Sequence, residues 1–295
     1  MNSKEMSLKT ETRRIVHRTR GQGHGPIIRL MSPSDLGHLL KPFVFLDLID
    51  ADTSLAESMP IHPHSGIATV TLIIEGDVRF DDPESGRGTI SYGGVEWMRA
   101  GGGVWHGKEM TSGTSKRVRG YQLWIALPPE LENGPVDSQY LEADKIPGVG
   151  SARIILGSYA GVKSPVRSPE GINYLLVTLA PGERWEYQPP VDQDVAWLSV
   201  SRGAVATPDI ASEGELVTFS SGNGVITMQA DEKNGAVFIM GSAVRHPYEL
   251  KLGYYSVHTS AEALQAGEAR ISEIEVRLRE AGDRQATSGV TPVFQ

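Results

Sequence analysis

The sequence contains no cysteine, and this absence excludes several kinds of site. Disulfide bonds, thiolate metal ligands and cysteine nucleophiles are all impossible. No apolar run approaches the ~20 residues that a membrane-spanning helix needs, and residues 1–12 lack the apolar centre of a secretion signal. We therefore expect a cytoplasmic protein with no membrane contact.

Basic residues are outnumbered, with 28 Lys and Arg against 36 Asp and Glu and a net charge of −8. A protein that binds nucleic acid through phosphate contacts needs a basic face. Basic side chains cluster only at residues 13–20, which we interpret as a solvated N-terminus, and at residues 116–119, interpreted as a charged loop. Direct contact with nucleic acid is therefore not expected.

Glycine and proline are plentiful, at 33 and 18 residues, and they recur between short apolar runs. This pattern is typical of many turns and hence of many strands. A Pro- and Gly-rich crossing at residues 128–150 divides the predicted strands, and Ser260 begins a segment with the spacing and cap of a helix. The predicted strands are 42–49, 67–74, 88–92, 95–98 and 121–127 before the crossing, and 153–156, 172–179, 195–200, 215–219, 225–229 and 236–240 after it.

A faint internal repeat relates the two halves. Turn glycines correspond in three pairs, namely Gly76 with Gly203, Gly94 with Gly214, and Gly103 with Gly224. The repeat predicts two small antiparallel barrels of the same kind. In this alignment three histidines of the first half, at positions 62, 64 and 106, correspond to Pro189, Val191 and Thr227. The second half therefore lacks every one of these candidate ligands. One copy would then carry a metal site and the other would not.

Three histidines of the first half are the candidate metal ligands. His62 and His64 flank Pro63, and in extended backbone residues two apart project to the same face. His106 follows a glycine-rich turn, and Glu109 stands three residues later. Neutral imidazole is the commonest metal ligand among side chains. Three imidazoles and one carboxylate suit Fe(II), Mn(II), Ni(II), Cu(II) or Zn(II). The alternative is a pair of ordinary surface histidines at 62 and 64.

Four further histidines are interpreted as structural or exposed: His17, His24, His246 and His258. Trp105, beside a candidate ligand, either packs in the core or narrows the mouth of the site.

These residues belong to longer motifs that resemble those of the pirin family of bicupins. Residues 61–70 resemble the family's Pro-His-Pro-His-x-Gly-x-x-Thr-Val, and residues 93–106 resemble its Gly-x-x-Gln-Trp-Met-x-Ala-Gly-x-Gly-x-x-His. Shorter matches lie at 42–47, 73–76 and 122–124. The resemblance covers residues 20–270, and its N-terminal motifs are the specific ones.

The resemblance implies an all-β fold of two tandem cupin barrels (double-stranded β-helices) with a short C-terminal helix. We expect an N-terminal extension at 1–24, a metal-binding cupin at 25–135, a cupin without metal at 136–259 and a helical tail at 260–295. It also implies one mononuclear metal, most often Fe(II), with Mn, Ni, Cu and Zn as alternatives.

The implied ligands are His62, His64, His106 and a glutamate, which in the family stands two residues after the last histidine. Here Glu109 stands three residues after it. In a regular strand this shift would turn Glu109 to the opposite face. A bulge at Gly107 would restore its direction. The site has either four protein ligands or three imidazoles and water.

Two functions are implied by the family. One is a dioxygenase that opens flavonols such as quercetin with O₂, with Glu109 as the catalytic base. The alternative is a non-enzymatic, iron-dependent regulator that binds a protein partner, as transcription cofactors do. A cupin retained for structure or for small-molecule sensing is a third possibility.

Overall fold

The computed structural model describes residues 12–58, 60–82 and 85–281 of the chain. Strands dominate this part, which confirms the all-β prediction. The helices are α1 (Leu36–Leu40), α2 (Leu55–Ser58), α3 (Pro129–Glu132) and α4 (Ala261–Ala281), with a 3₁₀ turn at Ala143–Lys145. Within the described residues, no helix is both long and apolar enough to cross a membrane.

Every predicted strand is present, and most agree with their expected bounds to within a few residues, although the strand predicted at 195–200 continues to Thr207. The strands before the Pro- and Gly-rich crossing are β1 (Ile15–Thr19), β2 (Gln22–His24), β3 (Ile27–Met31), β4 (Phe43–Asp52), β5 (His62–His64), β6 (Ile67–Glu75), β7 (Val78–Asp82), β8 (Gly86–Ile90), β9 (Val95–Arg99), β10 (Val104–His106), β11 (Met110–Ser112) and β12 (Arg117–Ala126).

The crossing itself carries α3 and two short strands, and the second barrel follows it. The strands from there on are β13 (Asp137–Leu141), β14 (Gly148–Val149), β15 (Ala152–Leu156), β16 (Ser158–Tyr159), β17 (Val162–Lys163), β18 (Ile172–Leu179), β19 (Arg184–Tyr187), β20 (Val195–Thr207), β21 (Asp209–Ser212), β22 (Leu216–Phe219), β23 (Ile226–Ala230), β24 (Ala236–Ala243), β25 (Lys251–Gly253) and β26 (Ser256–His258).

Each half forms one large sheet with smaller sheets beside it. The first runs in the order β13-β9-β6-β12-β4-β3-β2, accompanied by β10-β5 and β11-β7-β8. The second runs β1-β22-β20-β24-β18-β15-β14, with β19, β21 and β23 attached. The predicted boundaries at residues 24/25 and 135/136 remain predictions, but two strands pair across them. Strand β1 joins the second sheet, and β13 joins the first.

The two sheets share a core. One apolar cluster draws buried residues from both halves. Within it Phe43 meets Trp197 edge to face, with ring centroids 5.4 Å apart, and the Tyr121 hydroxyl lies 3.2 Å from the Ser199 hydroxyl. Burial of large side chains from both barrels in one cluster fixes one barrel against the other, since buried apolar area is the main stabilising contribution.

The basic segments differ from their sequence-based interpretation. Arg13 is 2% exposed, and its guanidinium donates to the carbonyl oxygens of Ser220 and Asp194, both at 2.6 Å. Residues 13–19 are therefore docked on the second barrel and are not a solvated terminus. Likewise residues 117–119 begin β12, where Arg117 pairs with Asp50 at 2.6 Å. In both segments the partners are distant in sequence, so local composition could not reveal them.

Helix α4 returns to the first barrel. Its predicted cap is present, since the Ser260 hydroxyl accepts from the Ala263 N–H at 3.1 Å. Three of its side chains join one cluster with two residues of the first barrel, namely Ile271, Ile274 and Leu278 with Ile61 and Trp105. Trp105 donates to the Ile271 carbonyl at 3.0 Å, so its role is packing beneath α4. The predicted tail beyond residue 281 and the extension before residue 12 lie outside the described residues.

Candidate metal centre

The three candidate histidines converge in the first barrel. Strands β5 and β10 pair antiparallel, with His62 opposite His106, and His64 lies two residues along on the same face. Their ring centroids are 4.6 to 5.2 Å apart, and one nitrogen of each lies within 4.8 Å of the other two. One ion at the centre would be within reach of all three imidazoles.

Two of the imidazoles are oriented by backbone carbonyls. The Nδ1 atom of His62 lies 3.1 Å from the Pro60 oxygen, and that of His64 lies 3.2 Å from the Tyr255 oxygen. A carbonyl can only accept, so Nδ1 carries the proton and the Nε2 lone pair remains available. Carbonyl acceptors of this kind are the usual outer partners of metal-bound histidines.

The third imidazole has a buried nitrogen without a partner. His106 is 6% exposed, and its Nε2 atom makes no hydrogen bond within the described part of the chain. Buried polar atoms are nearly always paired. A metal ion bound at Nε2 would satisfy this atom, so the residues present fit a divalent metal.

Burial keeps the imidazoles neutral. It lowers the pKa of His62, and it lowers the pKa of His64 and His106 well below the usual value. Neighbouring imidazoles lower the pKa of His64 and His106 further. Only the neutral ring has a lone pair for a metal, so the cluster is ready to bind an ion at neutral pH.

Glu109 lines the same cavity. The additional residue is absorbed between β10 and β11, where Gly107 has φ +130° and a Cβ there would lie only 3.0 Å from the Pro60 oxygen. Glu109 is consequently 2% exposed. Its Oε2 accepts from the Gly107 N–H at 2.8 Å, and its Oε1 has no partner among the described residues. Burial raises the pKa of Glu109 to about 7.

The carboxylate of Glu109 is not one of the groups whose ligand atoms converge within 4.8 Å. Its role as fourth ligand therefore stays a prediction, although Glu109 lines the cavity that contains the three histidines.

A second buried carboxyl, Glu96, was not anticipated. It lies on β9, is 2% exposed, and its Oε1 is 4.0 Å from the His106 Nδ1 atom. The Thr71 hydroxyl donates to its Oε2, and burial raises the pKa of Glu96 to about 7. A signal existed in the sequence, because the similar motif in the pirin family has glutamine where this chain has Glu96.

Glu96 belongs to a row of polar side chains that crosses the first sheet. Directly opposed residues of antiparallel strands share one face. The strand register places one polar residue of the row on each of six neighbouring strands, from β13 to β3. Four of these six residues also line the cavity. In order the six are Tyr140, Glu96, Thr71, Gln122, Asp47 and Arg29.

Aromatic and aliphatic side chains form the rest of the wall. The cavity encloses about 190 Å³. Trp124 stacks on Phe45 with centroids 4.1 Å apart and meets the His64 ring edge to face at 5.0 Å. The Tyr255 ring lies 5.9 Å from both His62 and His64, on the more exposed side. A flat, largely apolar ligand with one metal-binding oxygen would suit these walls.

Four other histidines lie elsewhere. His246 donates its Nε2–H to the Leu127 carbonyl, 3.2 Å away, and His258 lies between Ser65 and Glu132 in a buried hydrogen-bond chain. His17 and His24 are exposed on β1 and β2. None of the four belongs to the converging group, in agreement with their structural or exposed interpretation.

Comparison with known proteins matches residues 27–125 to the family model named Pirin. A pirin-like protein of Caulobacter vibrioides is 34% identical over 62% of this chain and 69% of its own length. A pirin-like protein and Pirin-1, both of Arabidopsis thaliana, are 34% and 32% identical, and the match spans 61% and 60% of their lengths, which is less than two thirds.

Solved structures agree in fold. A quercetin 2,3-dioxygenase from Acinetobacter baumannii superposes with a TM-score of 0.76 at 22% identity, covering 90% of this chain and 98% of that one. The bacterial pirin YhhW from Escherichia coli, solved in complex with nickel(II), gives a TM-score of 0.58 at 19% identity, covering 76% and 95%. The match to the family model and the 34% identity to the Caulobacter protein over 69% of its length establish that the chain belongs to the pirin family.

Proposed function

We propose that this pirin is a mononuclear metal-dependent dioxygenase that acts on flavonol-type substrates such as quercetin. The observation that carries the proposal is the convergence of His62, His64 and His106 in a cavity that also contains the unpartnered Oε1 of Glu109. The quercetin dioxygenase fold of the A. baumannii structure supports the substrate class.

The three imidazoles would hold one divalent ion, for which we propose Fe(II). The nickel complex of the E. coli pirin supports a divalent transition metal, and the nitrogen-rich donor set also suits Mn, Cu and Zn. When bound, such an ion supplies a Lewis acid that lowers the pKa of a coordinated hydroxyl group.

Glu109 would accept the proton of the substrate hydroxyl. One carboxylate oxygen is fixed by the Gly107 N–H, which leaves Oε1 as the free acceptor. A positioned base of this kind contributes roughly 10²–10⁴ in rate. We propose this role for Glu109 whether or not it also ligates the ion.

The walls would orient the substrate and exclude water. Trp124, stacked on Phe45, offers a flat face beside His64. Tyr255 lies across from it at a centroid distance of 6.4 Å. A planar aromatic substrate held against these rings would present one edge to the ion and the Glu109 carboxylate. Orientation of this kind is a major source of rate enhancement.

The test is an aerobic assay of Fe(II)-loaded protein with quercetin, following loss of the flavonol absorption and uptake of O₂, beside elemental analysis. We expect one metal per chain, turnover by the native protein, and loss of both in His64→Ala. The exposed His38 provides a matched control, and His38→Ala should retain metal and activity. In Glu109→Gln we expect metal to remain and the rate to fall by roughly 10²–10⁴.

Absence of turnover at full metal occupancy would overturn the dioxygenase proposal. It would favour the alternative, an iron-dependent regulator that binds a protein partner, which needs the ion but no reaction.

A further inference from the structure

The three candidate ligands differ in what faces their Nδ1 atoms. His62 and His64 face backbone carbonyls at 3.1 and 3.2 Å. His106 differs, since its Nδ1 lies 4.0 Å from the carboxylate of a side chain, Glu96. A metal-bound imidazole normally donates its second N–H to a carbonyl or carboxylate, which fixes the ring. For His106, the Glu96 carboxylate occupies the position of that acceptor, beside Nδ1.

Glu96 is itself held in position from two sides. The Thr71 hydroxyl, opposite it on β6, donates to Oε2 and is also 2.8 Å from the Gln122 amide oxygen. The Tyr140 hydroxyl, opposite it on β13, is 3.5 Å from Oε1. Both neighbouring strands thus hold the Glu96 carboxylate beside the ring of His106.

The geometry argues against Glu96 as a direct ligand. Its oxygen lies on the Nδ1 side of the His106 ring, whereas the buried nitrogen without a partner is Nε2. An ion bound at Nε2 lies on the far side of the ring from Glu96. Glu96 is also outside the group whose ligand atoms converge within 4.8 Å.

We propose that Glu96 is a positioning residue, whose carboxylate accepts the Nδ1–H of His106 and thereby directs Nε2 at the ion. This rests on the proposed metal-dependent function. The present separation of 4.0 Å needs to shorten by only about 1 Å to reach the length of a charge-assisted hydrogen bond. Loss of such an outer partner typically weakens metal affinity 10–100-fold.

The experiment compares two variants of Glu96 with Co(II) as the probe. Glu96→Met fills a similar volume but cannot accept a hydrogen bond, and Glu96→Gln retains an acceptor oxygen. Co(II) affinity is measured by competition with a chromogenic chelator, and the ligand-field spectrum of the bound ion is recorded. We expect a 10–100-fold loss of affinity in Glu96→Met and retention of most of the affinity in Glu96→Gln, with the native spectrum in both.

A purely space-filling role predicts native affinity in Glu96→Met, and a direct ligand predicts a changed spectrum in both variants. Either result overturns the proposal. Thermal melts of both variants show that the affinities refer to folded protein.

A measurement on the native Co(II) protein is independent of the variants' folding. Proton NMR should show three hyperfine-shifted, exchangeable imidazole N–H signals, and a spectrum with only two would overturn the proposal. Failure of the native protein to bind Co(II) would instead remove the metal-dependent function itself.

Discussion

The Nδ1 atom of His64 lies 3.2 Å from the carbonyl oxygen of Tyr255, so a residue near the end of the described chain orients an imidazole of the first barrel. The segment that follows Tyr255 is fixed to Ser65, the residue after His64. The Ser65 hydroxyl is 2.9 Å from Nε2 of His258, whose Nδ1 is 3.2 Å from the Glu132 carboxylate. All three side chains are at most 3% exposed. We interpret this chain as a clamp that connects α3, β26 and the metal centre.

The clamp requires a glycine beside Ser65. Gly66 has φ +73°, and a Cβ there would lie 2.1 Å from the Val257 oxygen. Gly25 is a matched control, because it has φ +63° and no atom within 4 Å of a built Cβ. Both alanine variants pay the cost of a left-handed residue, about 1–2 kcal/mol. In Gly66→Ala we expect the free energy of unfolding to fall by a further ~1–3 kcal/mol, because the added methyl group overpacks the site. We also expect this variant to bind metal more weakly. If urea unfolding gave equal free energies for Gly66→Ala and Gly25→Ala, the result would contradict the close approach of Gly66 to Val257 on which the clamp depends.

The docking of α4 on the first barrel gives a second prediction. Ile274 is 1% exposed and packs in a cluster with Ile61 and Trp105, whereas Val276 on the same helix is 53% exposed. Ile274→Ala should lower the free energy of unfolding by about 2–5 kcal/mol, because it leaves a cavity. Val276→Ala should change it by no more than about 0.5 kcal/mol. Similar urea midpoints for the two variants would show that α4 is not part of the cooperative fold.

Much of the fold was predictable because its strands are long and patterned. In β12, Tyr121, Leu123 and Ile125 alternate with other residues and are fully buried, as the period of two predicts. Strand β1 was not predictable, since its residues are largely exposed and its partner β22 lies about 200 residues away. Local sequence contains no information about such a pairing.

The site was predictable to the extent that its ligands share a motif. The spacing of His62 and His64 predicts two imidazoles on one face of a strand, and the glycine-rich turn indicates His106 as the third ligand. Glu96 was missed because a charged residue on a strand usually faces solvent. It is buried only because β6 and β13 flank β9 on both sides. The contribution of Tyr255 was hidden for another reason, since its backbone carbonyl orients His64 and any residue has one.

The raised pKa of Glu109 predicts a pH-dependent stability of the metal-free protein. Its carboxyl has a pKa of about 7 in the folded state, against 4.5 ordinarily, so between these values the folded state retains a proton that the unfolded state has lost. The stabilisation of the folded state by the protonated Glu109 carboxyl is complete below pH 4.5 and is lost as the pH rises through 7. Glu109→Gln cannot ionise and lacks this dependence.

Urea unfolding of chelator-treated protein at several pH values measures this difference. The stability of the native protein relative to Glu109→Gln should fall as the pH rises, by up to about 1.4 kcal/mol per pH unit within that window. Parallel pH profiles for the two proteins would mean that the Glu109 carboxyl is not buried as the structure places it.

The docked N-terminal segment gives the last prediction. Arg13 donates to the carbonyl oxygens of Ser220 and Asp194 while almost fully buried, whereas the side chain of its neighbour Arg14 is exposed. Hydrogen bonds from a charged donor contribute about 1.5–3 kcal/mol each. We expect Arg13→Ala to lower the free energy of unfolding by about 2–4 kcal/mol, and Arg14→Ala by at most about 0.5 kcal/mol.

The Arg14→Ala control is a close one, because the contacts of Arg14 with Ser220 use its backbone and survive the substitution. Limited proteolysis should also cleave Arg13→Ala near β1 faster than it cleaves the native protein, since β1 then pairs with β22 without the guanidinium that fixes its start. If both variants melt and cleave like the native protein, the interpretation of residues 13–20 as a solvated terminus would be restored, and the second barrel would be complete without them.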